Sequence, residues 1–254
     1  MKTRVGQPAG HTILAPPSRV HKGRIALACL LLISLSAKEL GAQQPAPHRL
    51  KAADVLLAAG AAGAYLAPHI FSLNEHPPSC APCDPRSVPG FDRWAIAEPR
   101  TLPDVTSSGL VVALAGLEAL DLARAGPDHY AEVAYVAESS AWALGAAEVV
   151  KAIVARKRPV LYTAEAPAAA ASLESQRSFP SGHAAVAFAL ATSFFLVPRA
   201  GARPLPAWHK WAALATAVSI GALRVAAAKH FPSDVLGGAA LGVVSAVTVR
   251  AVRF

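Results

Sequence analysis

The stretch Leu223-Arg224-Val225-Ala226-Ala227-Ala228-Lys229-His230-Phe231-Pro232-Ser233-Asp234 lies between two apolar runs and supplies a cation, an imidazole and a carboxylate at spacings of six and four residues. Pro232 predicts that a helix carrying Arg224 stops before it and that another starts near Asp234. Proline has no N–H to give a helix interior but fits a first turn. His230 then falls at the bend, a candidate nucleophile with Asp234 as its orienting group. An arginine, a histidine and an aspartate near a helix end are, taken alone, ordinary surface chemistry, so the rest of the chain decides what they do.

The surroundings are unusually apolar. Of 254 residues 54% are hydrophobic and only 16% charged, with a mean hydropathy of +0.38. This is enough to bury one sizeable domain or two small ones, and it favours a membrane protein over an ordinary soluble domain. Much of the excess is alanine, so a soluble Ala-rich helical bundle stays open. The net charge is +8, but the basic residues gather at the N-terminus, between apolar runs and at the C-terminus. That is the pattern of positive flanks to membrane spans, not of a nucleic-acid surface, and no nucleic-acid partner is expected. The three cysteines are Cys29 in an apolar run and the pair Cys80 and Cys83. They are too few for a four-thiolate zinc site, and a short-range disulfide in an oxidising compartment is the plainer reading than a redox-active CxxC.

In chain order, residues 1–24 are basic and polar, and an apolar run from Ile25 to Ala37 followed by Gly41-Ala42 reads as a signal peptide or an N-terminal anchor over 1–42. The remainder, 43–254, is expected to be one helical domain. Apolar segments at Val55–Leu73, Leu110–Leu122, Ala131–Val154, Ala184–Val197, Trp211–Ala228 and Val235–Val252 show no strand-like alternation. The expected fold class is therefore all-α: a bundle of about six apolar helices, transmembrane, whose later helices form the catalytic core. A polar, proline-rich connection from Asn74 to Asp104, with the cysteine pair and Pro-Gly-Phe-Asp-Arg-Trp at 89–94, is expected outside the membrane as a loop with one surface helix. Gly238 and Gly242 are spaced for close helix packing. Glu118, Asp121, Glu138 and Glu148 are costly facing lipid and are read as salt-bridge or helix-end groups without a chemical role.

Two further places share the character of the opening stretch. In Lys151-Ala-Ile-Val-Ala-Arg-Lys-Arg158-Pro159, seven residues are almost two helical turns, so Lys151 and Arg158 are predicted to share one helix face. In Ser178-Phe179-Pro180-Ser181-Gly182-His183, proline and glycine introduce a helix whose free N–H groups suit an anion. Singly, these are a snorkelling basic helix end and a capping pattern. Together, Lys-x6-Arg-Pro, Pro-Ser-Gly-His and Arg-x5-His-x3-Asp, in this order across 151–234, resemble the three-part signature of the type 2 phosphatidic acid phosphatase superfamily, which also holds bacterial acid phosphatases and vanadium haloperoxidases. Leu223 departs from the small residue often found before the arginine, which bears on packing behind Arg224 and not on the cation.

The resemblance implies a phosphatase. Lys151, Arg158 and Arg224, with backbone N–H groups near Ser181 and Gly182, would hold the phosphate. His230 would be the nucleophile and form a phosphohistidine, Asp234 would fix its tautomer, and His183 would protonate the leaving alcohol and then activate water. No cofactor or metal is expected. The expected substrate is a lipid phosphate monoester or an isoprenoid or other lipid diphosphate, with the bilayer as partner. The alternatives are a periplasmic acid phosphatase for soluble esters, a vanadate-dependent haloperoxidase and an inactive lipid-binding membrane protein. With six spans starting in the cytoplasm, all three motifs meet on the outer face of a bacterial-type inner membrane, and loop cations Arg124, Arg199, Arg203, Lys210, Arg250 and Arg253 fall inside. A cleaved signal or an extra anchor at 1–42 would invert that order.

Overall fold

The computed structural model describes residues 52–73, 76–124, 129–197 and 207–254. The leader or anchor expected over 1–42 lies outside them. Among the described residues there is no strand: six long helices carry the fold. They are α1 (Ala52–Ile70), α2 (Thr101–Arg124), α3 (Tyr130–Val154), α4 (Gly182–Leu196), α5 (Ala207–Ala226) and α6 (Pro232–Arg253). The all-α expectation holds.

Helix α4 is the centre. Nine of its fifteen residues are buried, against three of nineteen in α1, because α2, α3, α5 and α6 all pack on α4 while α1 leans on α3. Alanine makes this possible. Ala184, Ala185 and Ala189 give α4 a shallow face, and Gly238 and Gly242 of α6 press into it: a Cβ on Gly238 would lie 2.4 Å from the Ser181 carbonyl oxygen, and one on Gly242 2.2 Å from that of Ala185. Backbones in such contact gain dispersion over their whole length. Gly145 seats α1 on α3 in the same way, its added Cβ being 2.7 Å from the Ala61 carbonyl oxygen.

Three helices, α1, α2 and α6, are long and apolar enough to cross a membrane. Their apolar side chains point outward, as at Leu56, Val112 and Leu236, which are 72%, 73% and 61% exposed. The other three expected spans fall short for legible reasons. Helix α4, at ~1.5 Å per residue, spans only about 22 Å of a ~30 Å hydrocarbon core; α3 buries Glu132, Glu138, Glu148 and Lys151; α5 carries His209, Lys210 and Arg224. The buried acids are paired: Glu138 takes a two-pronged contact from Arg253 (2.5 and 2.7 Å), which also holds Asp54 at 3.0 Å, and Glu148 meets Lys151 at 2.6 Å.

The expected loop Asn74–Asp104 is shorter than predicted, since α2 starts at Thr101, with Pro103 and Asp104 in a first turn that favours both. Before it, Gly90–Arg93 forms one helical turn, and Cys80 and Cys83 form the disulfide. This segment is seated on the chain after α3: the Cys83 N–H donates to the Leu161 carbonyl (2.8 Å), and Val88 and Ala95 pack on Phe231.

Candidate active site

Every motif residue lies at one end of the bundle, where α3 and α5 finish and α2, α4 and α6 start. After α5 the chain returns sharply. Ala228 adopts a left-handed backbone (φ 53), the Lys229 N–H donates to the Arg224 carbonyl at 3.2 Å, and His230 precedes Phe231, the N-cap of α6. His230 is 2% exposed. Its Nδ1 lies 2.7 Å from the carbonyl oxygen of Ser178. A carbonyl only accepts, so Nδ1 carries the hydrogen and Nε2 keeps the lone pair. Burial pushes the imidazolium down to about 3, with Asp234 opposing the fall and Arg158 and Arg224 adding to it. The ring is neutral near neutral pH.

Asp234 is the residue expected to fix that tautomer. Its Oδ2 is instead 3.8 Å from Nδ1, and the orienting contact comes from Ser178. Asp234 is the third residue of α6, so its carboxylate turns back to cap the helix, accepting from the Phe231 N–H at 2.7 Å. The same oxygen accepts from Ser178 Oγ at 2.6 Å. Asp234 thus acts on His230 through Ser178.

Lys151 and Arg158 do not share a helix face. Ala155 takes a left-handed conformation (φ 47) and ends α3 at Val154, because the run of cations that follows turns toward three separate partners. Lys151 stays in the last helical turn, buried, while Arg158 arrives on extended backbone ahead of Pro159. Both still face the site: a Cβ on Gly182 would lie 3.3 Å from Lys151 Nζ, and Arg158 is close enough to act electrostatically on His230 and Arg224. Arg158 donates to Glu174 at 2.7 Å, and burial lowers its pKa from the ordinary arginine value. Arg224, 4% exposed, donates to Asp104 and, at 3.1 Å, to Ser107 Oγ. The buried Nε atoms of Arg158 and Arg224 have no hydrogen-bond partner among the described residues.

The Pro-Ser-Gly-His turn starts α4 as expected, with Ser181 as N-cap, its Oγ accepting from the Ala184 N–H at 3.4 Å. The Ser181 N–H donates to the Asp234 carbonyl (2.9 Å), so the backbone donors at this helix start are those of Gly182 and His183. His183, second in the helix, has Nε2 2.9 Å from Ser108 Oγ and feels the charges of Arg224, Asp104, Lys151 and Arg158.

Three contributions escaped the sequence reading. Helix α2 supplies Asp104, Ser107 and Ser108 to Arg224 and His183, and Asp104 also holds Lys229 at 3.1 Å. Ser178 joins His230 to Asp234. Arg156, inside the first motif, donates to Asp234 Oδ1 (2.5 Å), Ser233 Oγ (2.6 Å) and Asp92 Oδ2 (2.8 Å), with its guanidinium 4.5 Å above the Phe231 ring. The three neighbouring cations 156–158 were the one available signal. Among the described residues no group of three or more His, Cys, Asp or Glu side chains is placed to hold a metal ion.

One end of the described bundle thus gathers His183 and His230 with the buried cations Lys151 and Arg224. Residues 132–254, which take in nearly all of α3 and run through α6 with all three motifs, match the model of the PAP2 superfamily. The match supports a phosphatase-type function. No curated protein and no solved structure matches the chain. Asp92, Asp104, Ser107 and Ser108 lie outside the matched region.

Proposed function

We propose that the protein is a membrane-embedded phosphatase that hydrolyses lipid phosphate monoesters or isoprenoid and other lipid diphosphates through a phosphohistidine on His230. The observation that carries this reading is the state of His230: buried, neutral, with its Nδ1–H committed to Ser178 and its lone pair on Nε2. Lys151, Arg158, Arg224 and the N–H groups of Gly182 and His183 bind the phosphoryl oxygens, and the two orphaned Nε donors gain acceptors there. Nε2 attacks phosphorus as the bond to the leaving oxygen breaks, and His183, whose imidazolium burial and the neighbouring cations otherwise hold down to about 4, takes up a proton when the negative phosphoryl group offsets those cations and gives it to that oxygen. His183, now neutral, takes a proton from water, the hydroxide attacks phosphorus, and the P–N bond returns its electron pair to Nε2. Inorganic phosphate leaves and no cofactor is consumed.

The outward apolar faces of α1, α2 and α6 support placement in the bilayer, where an acyl or prenyl chain reaches the site laterally. The disulfide at the motif end of the bundle, and cations Arg124 and Arg250 at the opposite end, support an active face toward the periplasm of a bacterial-type inner membrane. One observation favours the soluble-ester reading. A cleft of about 260 Å³ beside Arg158 and Lys229, lined by Glu165, Ser172 and Glu174 as well as by Pro99, Val160 and Ala169, gives a small ester a place next to the motif cations.

Phosphate release from phosphatidate, an isoprenoid diphosphate and a soluble monoester, each with and without detergent and chelator, tests both. Turnover of the lipids that His230→Ala abolishes and chelator spares is the expected result. Turnover of the soluble ester alone, by protein recovered without detergent, replaces the membrane reading, and equal rates for wild type and His230→Ala end the phosphohistidine mechanism.

A further inference from the structure

We infer that Asp92 and Arg156 are positioning residues for the nucleophile, through a buried relay that runs from the loop before α2 to His230. The inference rests on the phosphohistidine reading above. Asp92 sits in the single helical turn Gly90–Arg93, far in sequence from the motifs, yet it is 2% exposed. A carboxylate is not buried without partners, and those of Asp92 all belong to the site's support. Oδ1 accepts from the Ser233 N–H at 3.0 Å, and Oδ2 accepts from Ser233 Oγ at 2.6 Å and from Arg156 at 2.8 Å. Arg156 is therefore forked between two carboxylates, Asp92 on one prong and Asp234 on the other, a planar geometry that only arginine offers. Asp234 passes the constraint to Ser178 Oγ, and the Ser178 carbonyl holds His230 Nδ1–H. Each link is a hydrogen bond of 2.8 Å or less.

The relay does two things. It fixes the His230 ring by fixing the carboxylate and serine behind it, and it sets the charge that the ring feels. His230 is faced by Arg158, Arg224 and Asp234, and Arg156 is the cation that neutralises Asp234 from behind. Removing that cation leaves the carboxylate freer to stabilise an imidazolium, which moves protonation of the nucleophile to higher pH. Neither Asp92 nor Arg156 touches the reacting atoms, so the chemistry is lost in rate and not in binding.

The experiment compares wild type, His230→Ala, Asp92→Asn, Arg156→Gln and Arg156→Lys in detergent, reading kcat, KM, the pH dependence of kcat/KM and the melting temperature. Asp92→Asn keeps the shape but turns an amide toward the guanidinium. Asp92→Asn and Arg156→Gln are expected to lower kcat by about 10- to 100-fold with KM within about twofold, the cost of a nucleophile held about 1 Å loosely. Arg156→Gln moves the acid limb of kcat/KM upward; Arg156→Lys, which keeps the charge but not the fork, leaves the limb in place while kcat stays low. A purely structural anchor would lower the melting temperature and move neither the limb nor the ratio of kcat to KM. Folded Asp92→Asn and Arg156→Lys with wild-type kcat and limb overturn the inference, and these two variants carry the test should Arg156→Gln not fold. Equal activity of wild type and His230→Ala marks failure of the underlying reading instead.

Discussion

A single methyl group on α6 tests the link between helix packing and the site. The added Cβ of Gly242→Ala meets the Ala185 carbonyl oxygen at 2.2 Å and the Ala189 nitrogen at 2.7 Å. Carbon and carbonyl oxygen settle at about 3.3–3.6 Å, so α4 and α6 must part by about 1 Å. Neither neighbour is a flexible side chain; both are helix backbone at the most buried face of the bundle. Overpacking of this kind costs about 1–3 kcal/mol, which for a chain of this size lowers the melting temperature by about 2–12 °C. The same two helices hold the site together through the Ser181 N–H bond to the Asp234 carbonyl. A displacement of about 1 Å there reduces kcat by up to about 100-fold. Gly116→Ala is the matched contrast: its Cβ meets nothing within 4 Å on the exposed face of α2, and a helical glycine-to-alanine change gains about 0.8–1 kcal/mol. Thermal unfolding in detergent, followed by phosphate release from the surviving protein, reads both. A Gly242→Ala protein that melts with the wild type and turns over at its rate refutes the close-packed α4–α6 contact as the element that spaces the site.

Two further outcomes follow from charge. The pKa of His230 falls on folding from about 6.5 to about 3, so below pH 6.5 the unfolded chain binds a proton that the folded chain refuses. Stability then falls with acidification by at most about 1.4 kcal/mol per pH unit from this group. His230→Gln should flatten the dependence of melting temperature on pH between 5 and 6.5, and identical slopes would contradict the neutral buried ring. At the other end of the bundle, Arg253→Ala takes from the buried Glu138 carboxylate its two-pronged partner, at a cost of about 3–5 kcal/mol. It should lower the melting temperature while kcat/KM of the remaining folded protein stays at the wild-type value; a loss of kcat/KM without a loss of stability would show that the two ends are coupled.

The sequence was most legible where a residue's role follows from its own covalent chemistry. Pro232 fits a helix start and not a helix interior, Gly238 and Gly242 at a four-residue spacing fit a close approach, and Cys80 and Cys83 had few partners to choose from. The α-helical class and the meeting of three motifs at one end follow from such residues. What stayed hidden depends on direction in space. Ala155 is an ordinary helix former, and nothing in its identity says that it adopts φ 47 and cuts α3 between Lys151 and Arg158. Asp234 had two uses, orienting His230 or capping α6, and its place three residues after the N-cap decides for the cap, which hands the histidine to Ser178. Asp92 and Asp104 fall within the polar connection 74–104, whose composition does not say that Asp92 is buried or that Asp104 meets Arg224.

The hidden acids share a cause. Asp104 meets Arg224, Glu174 meets Arg158 and Asp92 meets Arg156, just as Glu148, expected as a salt-bridge group, meets Lys151. Cations close enough together to grip one phosphate repel each other before it arrives, and their burial makes the repulsion worse. A fold that gathers them must therefore bring counter-charges from somewhere, and the three motifs have only Asp234 of their own to offer. The acids come from α2, from the loop stapled by the disulfide and from neighbouring turns, none of which the signature specifies. The motif names the groups that face the substrate, and the physics of collecting them names the rest.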